Sequence, residues 1–315
     1  MRKEVEAYNY FCESVLIESV LMLKKLTKFI STTIACLTLA LCAGCTPKAP
    51  SKPSMPDKNG YKFVWGDEFD GMSLDADKWC YQTGTRDYYG STVGANYWGN
   101  NEKQYYTEGD NLSVSDGELK ITAKREDREG MQFTSSRIVT RGLFSRTYGY
   151  FEAKMKLPAV KGMWPAFWLL PQPTDETSSD NVYGGWAANG ELDIMEAKGR
   201  LLNQVDTTIH YGGNWPNNKY TGSTTTLESN IDEWHTYAVD WRENYIAWII
   251  DDKEVYRLTN ADWWSAASDS ATAPFDRPFY ILLNLAVGGN YDGNIMPDQD
   301  FTQATMYVDY VRVYE

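Results

Sequence analysis

Beyond residue 60, apolar and polar residues alternate in short runs along most of the chain. The clearest runs are 61–65, 112–114, 118–123, 150–157, 234–241, 245–250, 280–285 and 305–314. A period of two buries one face of a strand and leaves the other to solvent. Gly, Asn and Asp separate the runs, and Asp116-Gly117 and Asp251-Asp252 read as hairpin turns. No long stretch carries a period of 3.6. The pattern predicts one all-β domain over residues 61–315, a β-sandwich without internal repeats. Residues 171–185, rich in Thr, Ser, Asp and Gly, read as a loop.

The pattern changes before residue 61. Residues 46–60 are rich in Pro, Lys and Ser and form a flexible linker, unable to bury a core. Upstream, Lys24, Lys25 and Lys28 precede an apolar run over 29–41. This is the layout of a secretory signal, too short for a membrane span. It ends in Leu41-Cys42-Ala43-Gly44-Cys45, which resembles a bacterial lipoprotein signal with Cys45 as the acylated first residue. Residues 1–21 have no role in such a signal, so translation is expected to start at Met22. Residues 1–45 are then a spurious extension plus a signal peptide. The mature protein is expected to be exported and membrane-anchored, touching the membrane only through its lipid.

The chemistry concentrates in Gly190-Glu191-Leu192-Asp193-Ile194-Met195-Glu196-Ala197. On a strand Glu191 and Asp193 share a face, and Leu192 and Ile194 point the other way. Strict alternation would send Glu196 into the core. One extra residue, a β-bulge between Asp193 and Glu196, returns it to the acidic face. A helix would place Glu191 and Glu196 about 140° apart. Two carboxylates on one wall can cleave a glycosidic bond, one as nucleophile and one as general acid/base. Their backbones are roughly 13 Å apart along a strand, and retaining chemistry needs carboxyl groups about 5–5.5 Å apart. The glutamates must therefore lean together over Asp193, which can hold a proton and keep the three pKa values apart. Taken alone, E-x-D-x-x-E is more often a solvated acidic edge strand. The flanking sequence decides.

Upstream lies Gly162-Met163-Trp164-Pro165-Ala166-Phe167-Trp168-Leu169-Leu170. Trp186 shortly precedes the acids, and Thr208-Ile209-His210-Tyr211-Gly212 follows them. Together with the bulged acid motif, these segments resemble glycoside hydrolase family 16 and, within it, the laminarinase-like β-glucanases. The resemblance runs from about residue 61 to 315 in the family's order. It implies a jelly roll with a concave substrate cleft. It implies Glu191 as nucleophile, Glu196 as acid/base and Asp193 as the assisting acid. It further implies substrate contacts from Asn101, Arg137, Trp164, Trp168, Trp186 and His210. Trp164 and Trp168 share a strand face, where indoles stack on pyranose rings; Phe167 and Leu169 belong to the core. Glu68, the Gly117 carbonyl and Asp309 match the family's structural cation site, and an all-oxygen set suits calcium. Catalysis itself needs no cofactor.

Aromatics make up 14% of the chain, and all twelve Trp lie from Trp65 onward, more than a core requires. The net charge of −13 argues against nucleic acid or an anionic membrane surface as partner. A neutral glucan is compatible, and a monomer is expected. Cys80 is the only cysteine within 61–315, so no disulfide forms inside the domain; with His210 and His235 as the only histidines, a zinc site is excluded. Three readings follow. The first is a retaining endo-β-glucan hydrolase acting on β-1,3 (laminarin) or mixed-linkage β-1,3-1,4-glucan. The second is a galactan hydrolase of the agarase or carrageenase kind. The third is a non-catalytic β-glucan-binding surface protein, which the presence of both glutamates disfavours.

Overall fold

The computed structural model describes residues 58, 60–86, 96–174 and 182–315. The signal segment, Cys45, most of the linker and the middle of the 171–185 loop lie outside the described residues. Among the described residues seventeen strands form. They are β1 (Phe63–Asp67), β2 (Cys80–Tyr81), β3 (Gln104–Tyr106), β4 (Leu112–Ser115), β5 (Glu118–Arg128), β6 (Met131–Ser135), β7 (Arg137–Val139), β8 (Gly149–Lys156), β9 (Met163–Pro171), β10 (Glu191–Glu196), β11 (Gln204–Gly212), β12 (Asn218–Thr226), β13 (His235–Arg242), β14 (Tyr245–Ile250), β15 (Lys253–Thr259), β16 (Phe279–Val287) and β17 (Gln303–Tyr314). The only helical elements among them are two short 3-10 turns, Tyr97–Gly99 and Asn290–Asp292.

The strands build two sheets. One has ten strands, with the path β15-β14-β13-β8-β17-β5-β6-β3; β1 adds to β17 and β4 to β5. The other has seven, in the order β12-β11-β10-β9-β16-β7-β2. Every pairing is antiparallel except β3 with β6. Alternation explains the core between the sheets. Phe167, Leu169, Leu192, Ile194 and Ile209 meet Phe151, Val239, Trp241 and Trp248, all at 1% exposure or less. Asp116-Gly117 and Asp251-Asp252 take left-handed conformations at both positions, closing the β4–β5 and β14–β15 hairpins. The strand β12 has no apolar alternation. Its sequence, Asn-Lys-Tyr-Thr-Gly-Ser-Thr-Thr-Thr, is held by an unbroken ladder to β11, from Gln204↔Thr226 to Gly212↔Asn218.

The three residues expected to hold calcium come to one corner. Asp67, next to Glu68, pairs with Val311, and Val308, next to Asp309, pairs with Leu119 beyond the Gly117 turn. Here both carboxylates are engaged by basic side chains. The Arg312 guanidinium donates two hydrogen bonds to the Glu68 carboxylate, at 2.8 and 2.9 Å. Lys154 donates to Asp309 at 2.9 Å. Each carboxylate already carries a counter-cation, which repels a divalent ion by the same Coulomb term that would attract it.

Candidate active site

The acids stand on β10, in the middle of the seven-stranded sheet. The register of β10 shifts between Asp193 and Glu196 against β11, and between Asp193 and Met195 against β9. Glu191 and Glu196 are thereby both half-buried on the open face, while Leu192, Ile194 and Met195 are packed in the core. A bulge leaves a main-chain group without its ladder partner. Here the fully buried Trp248 of the opposite sheet donates its indole N–H to the Asp193 carbonyl at 2.9 Å. The bulge is thus tied through the core to β14.

Each glutamate receives one indole N–H. Trp186 donates to Glu191 at 2.9 Å, and Trp164 donates to Glu196 at 2.8 Å. His210 stands directly opposite Glu191 in the β10–β11 ladder, with its Nε2 3.7 Å from Glu191 and 3.4 Å from Asp193. The side chain of Glu191 is 13% exposed and that of Asp193 only 4%. Burial pushes all three carboxyls up, to about 8. For Glu191 and Glu196 the nearby Asp193 charge adds to burial, while His210 and the indole N–H groups oppose it. Three carboxylates this close cannot all ionise near neutral pH, so the cluster retains protons. A site holding one ionised and one protonated carboxyl is what glycoside cleavage requires.

The neighbouring strands extend the site. Trp168 is opposite Asp193 and donates its indole N–H to Asn284 at 2.7 Å. Asn284 donates to the Tyr106 hydroxyl at 3.1 Å, which donates to Glu102 at 3.0 Å. Arg137 lies between the rings of Trp98 and Trp168, 4.6 and 4.8 Å from their centroids, and donates to Gln82 at 2.6 Å. Asn101 is exposed, bonded to Asn294 and Lys103. Trp164 differs from a simple stacking platform. It is 8% exposed, with Tyr291 stacked on its ring at 4.8 Å and 21°. Sequence reasoning missed Trp98, Asn284, Tyr106, Glu102 and Tyr291. The run Asn100-Asn101-Glu102-Lys103-Gln104 hid Glu102 among polar residues, and only its 3% exposure marks it. Burial lifts its carboxyl to about 7, against the pull of Arg137. Glu191, Asp193 and His210 also bring three donor atoms within 4.8 Å of one another.

A two-sheet β-sandwich carrying paired carboxylates among aromatic side chains on one sheet defines the class as a carbohydrate-cleaving enzyme. The model of glycosyl hydrolases family 16 matches residues 99–312, and the chain belongs to that family. A second model, for the beta-glucan synthesis-associated proteins SKN1/KRE6/Sbg1, matches residues 11–184 and ends before β10. The chain is 43% identical over 276 residues to glucan endo-1,3-beta-glucosidase A1 of Niallia circulans, covering 84% of this chain but only 39% of that protein. It is 36% identical to a beta-glucanase of Rhodothermus marinus, over 96% of this chain and 98% of that one. The solved laminarinase of Rhodothermus marinus superposes with a TM-score of 0.68 at 38% identity, over 81% of this chain and 97% of that one.

Proposed function

We propose that this protein is a retaining endo-acting β-glucan hydrolase, cutting β-1,3-linked or mixed β-1,3-1,4-glucan by double displacement. The observation that carries the reading is the bulged β10, which turns Glu191 and Glu196 to one open face, each held by a tryptophan N–H. The ionised Glu191 attacks the anomeric carbon while the glycosidic C–O bond breaks. Glu196 gives its proton to the leaving oxygen, so the aglycone departs as a neutral alcohol. A water then attacks the glycosyl-enzyme from the other side. Glu196 takes the proton of that water, and Glu191 leaves as a carboxylate. His210 faces Glu191 and Asp193, so it helps hold the charge and proton they share. Trp168 and Arg137 supply ring and hydroxyl contacts on the other side of β10 from His210, and Asn101 an amide contact. The galactan and binding-only readings are not favoured beside relatives named as β-glucanases at 36–43% identity.

The decisive experiment compares reducing-sugar release from laminarin, barley β-glucan and agarose, with proton NMR of the first anomer released. Release from a glucan as the β-anomer supports the reading. Release from agarose alone, or an initial α-anomer, contradicts it.

Two further points belong to the same proposal. The Leu41-Cys42-Ala43-Gly44-Cys45 sequence supports acylation at Cys45 and a membrane-anchored enzyme; Cys45→Ala should abolish fatty-acid labelling. Calcium is left out of the proposal, because Glu68 and Asp309 already carry Arg312 and Lys154.

A further inference from the structure

Behind Glu196 lies a second layer of charge that the hydrolytic scheme does not use. Asp206 of β11 stands directly opposite Glu196 in the ladder. Its carboxylate accepts from Lys198 at 2.6 Å, from the Tyr291 hydroxyl at 2.5 Å and from Thr224 at 2.5 Å. Lys198 also sits 4.0 Å above the ring of Tyr291. Tyr291 in turn stacks on Trp164, whose N–H is bonded to Glu196. The turn carrying Tyr291 is fixed at both sides. Arg200 grips Asp292 with hydrogen bonds of 2.7–3.1 Å. Gly289, at φ +86°, packs where a Cβ would come within 3.0 Å of the Trp164 ring. The loop, the indole and the ion pair therefore form one connected body around a single carboxyl.

We propose that Asp206, with its charge partly neutralised by Lys198 and its position fixed by Tyr291, is a positioning residue that sets the pH at which Glu196 loses its proton. The inference rests on the reading of Glu196 as acid/base. The charged groups facing Glu196 are few. On β10 they are Glu191 and Asp193, and on β11 Asp206 and His210. Lys198 follows β10, and the turn contributes Tyr291. Across β9 and β16 the same row passes through uncharged Ala166 and Asn284 before reaching Arg137. Glu191 has no counterpart of Asp206, since its opposite residue is His210. One acid is thus backed by a carboxylate and the other by an imidazole. A negative charge beside a carboxyl favours its protonated form, and a cation or hydrogen-bond donor favours the ionised form. The asymmetry lies in the ladder partners, Asp206 opposite Glu196 and His210 opposite Glu191. Burial opposes ionisation of Asp206, but the donors Lys198, Thr224 and Tyr291 outweigh it and hold its pKa low. The Asp206 charge is therefore present throughout the working range.

The test is the pH profile of kcat/KM on laminarin, whose basic limb reports the acid in the free enzyme. Asp206→Asn removes a negative charge, so the basic limb should move down by about one pH unit. Lys198→Met leaves Asp206 unscreened, so the limb should move up, by roughly half a unit to one unit. Lys198→Arg should keep the wild-type limb. Opposite shifts from the two charge changes support the inference, because a merely structural role would lower activity without moving the limb in two directions. Unmoved limbs, or shifts of one sign, overturn it. If Asp206→Asn does not fold, the Lys198→Met and Lys198→Arg pair decides alone. Azide added to Glu196→Ala with a dinitrophenyl glycoside separates the two failures. A β-glycosyl azide keeps Glu196 as acid/base even where the limbs do not move; its absence removes the reading on which the inference rests.

Discussion

The two glutamates of the site and the acids of the ten-stranded sheet meet opposite kinds of partner. On the ten-stranded sheet and its β1 edge, several acids meet cations. Glu68 takes Arg312, Asp309 takes Lys154, and the buried Glu152 takes Lys58 along with the Tyr310 hydroxyl. On the seven-stranded sheet, Glu191 and Glu196 meet indole N–H groups, and the imidazole of His210 lies 3.7 Å from Glu191. A cation partner keeps a carboxylate ionised and makes it a staple. Burial with neutral donors leaves it able to exchange a proton near neutral pH. The residue types are the same on both faces, and the partner decides which become chemistry.

The comparison breaks most visibly at the nucleophile. Glu191→Ala should lower kcat on laminarin by about 10⁵-fold, the order seen when a covalent nucleophile is removed. Glu68→Ala, on the other sheet, should leave kcat within about twofold in the same assay. A smaller effect comes from the neutral donors. A hydrogen bond to a charged group is worth about 1.5–3 kcal/mol, so Trp186→Phe or Trp164→Phe should cost roughly 10- to 100-fold in kcat/KM with little loss of fold. Wild-type rates in both variants would show that the indole N–H groups do not matter to the acids.

Stability should respond in the reverse sense. Arg312→Leu removes the two-pronged guanidinium bond to the half-buried Glu68 and should destabilise by about 1–2 kcal/mol, with kcat unchanged; denaturant melts measure it. Asp193→Asn should instead stabilise at pH 8 while impairing catalysis. The sign follows from its raised carboxyl, about 8 in the folded protein against roughly 3.9 unfolded. Folding favours the protonated form, so that contribution is complete below about pH 4 and is lost as pH rises through 8. The Tm gain of the variant should therefore grow from pH 5 to pH 8, at roughly 2–4 °C per kcal/mol. A gain that shrinks over that range would mean that Asp193 is held ionised by something other than its neighbours.

Much of the fold and of the acid strand was legible in the sequence, for a local reason. Period-two alternation depends only on neighbours along the chain, so β5, β8, β14 and β17 stood out. The bulge was legible because three acids and two aliphatics admit no unbroken strand with all the acids on one face. The strand β12 was not, since its Thr-rich run carries no apolar period and exists through its ladder to β11. The pairing of acids with cations was not legible either. Arg312 lies far from Glu68 in the chain, as does Tyr291 from Asp206, and their contacts follow from strand order and loop packing. Sequence by itself determined which face of each strand is apolar and which short segment carries the acids, because side-chain direction is set by local backbone geometry. Only the tertiary structure decided which acids are neutralised and which keep their protons. Burial and the charge of the nearest partner are properties of groups brought together across sheets, and no local pattern encodes them.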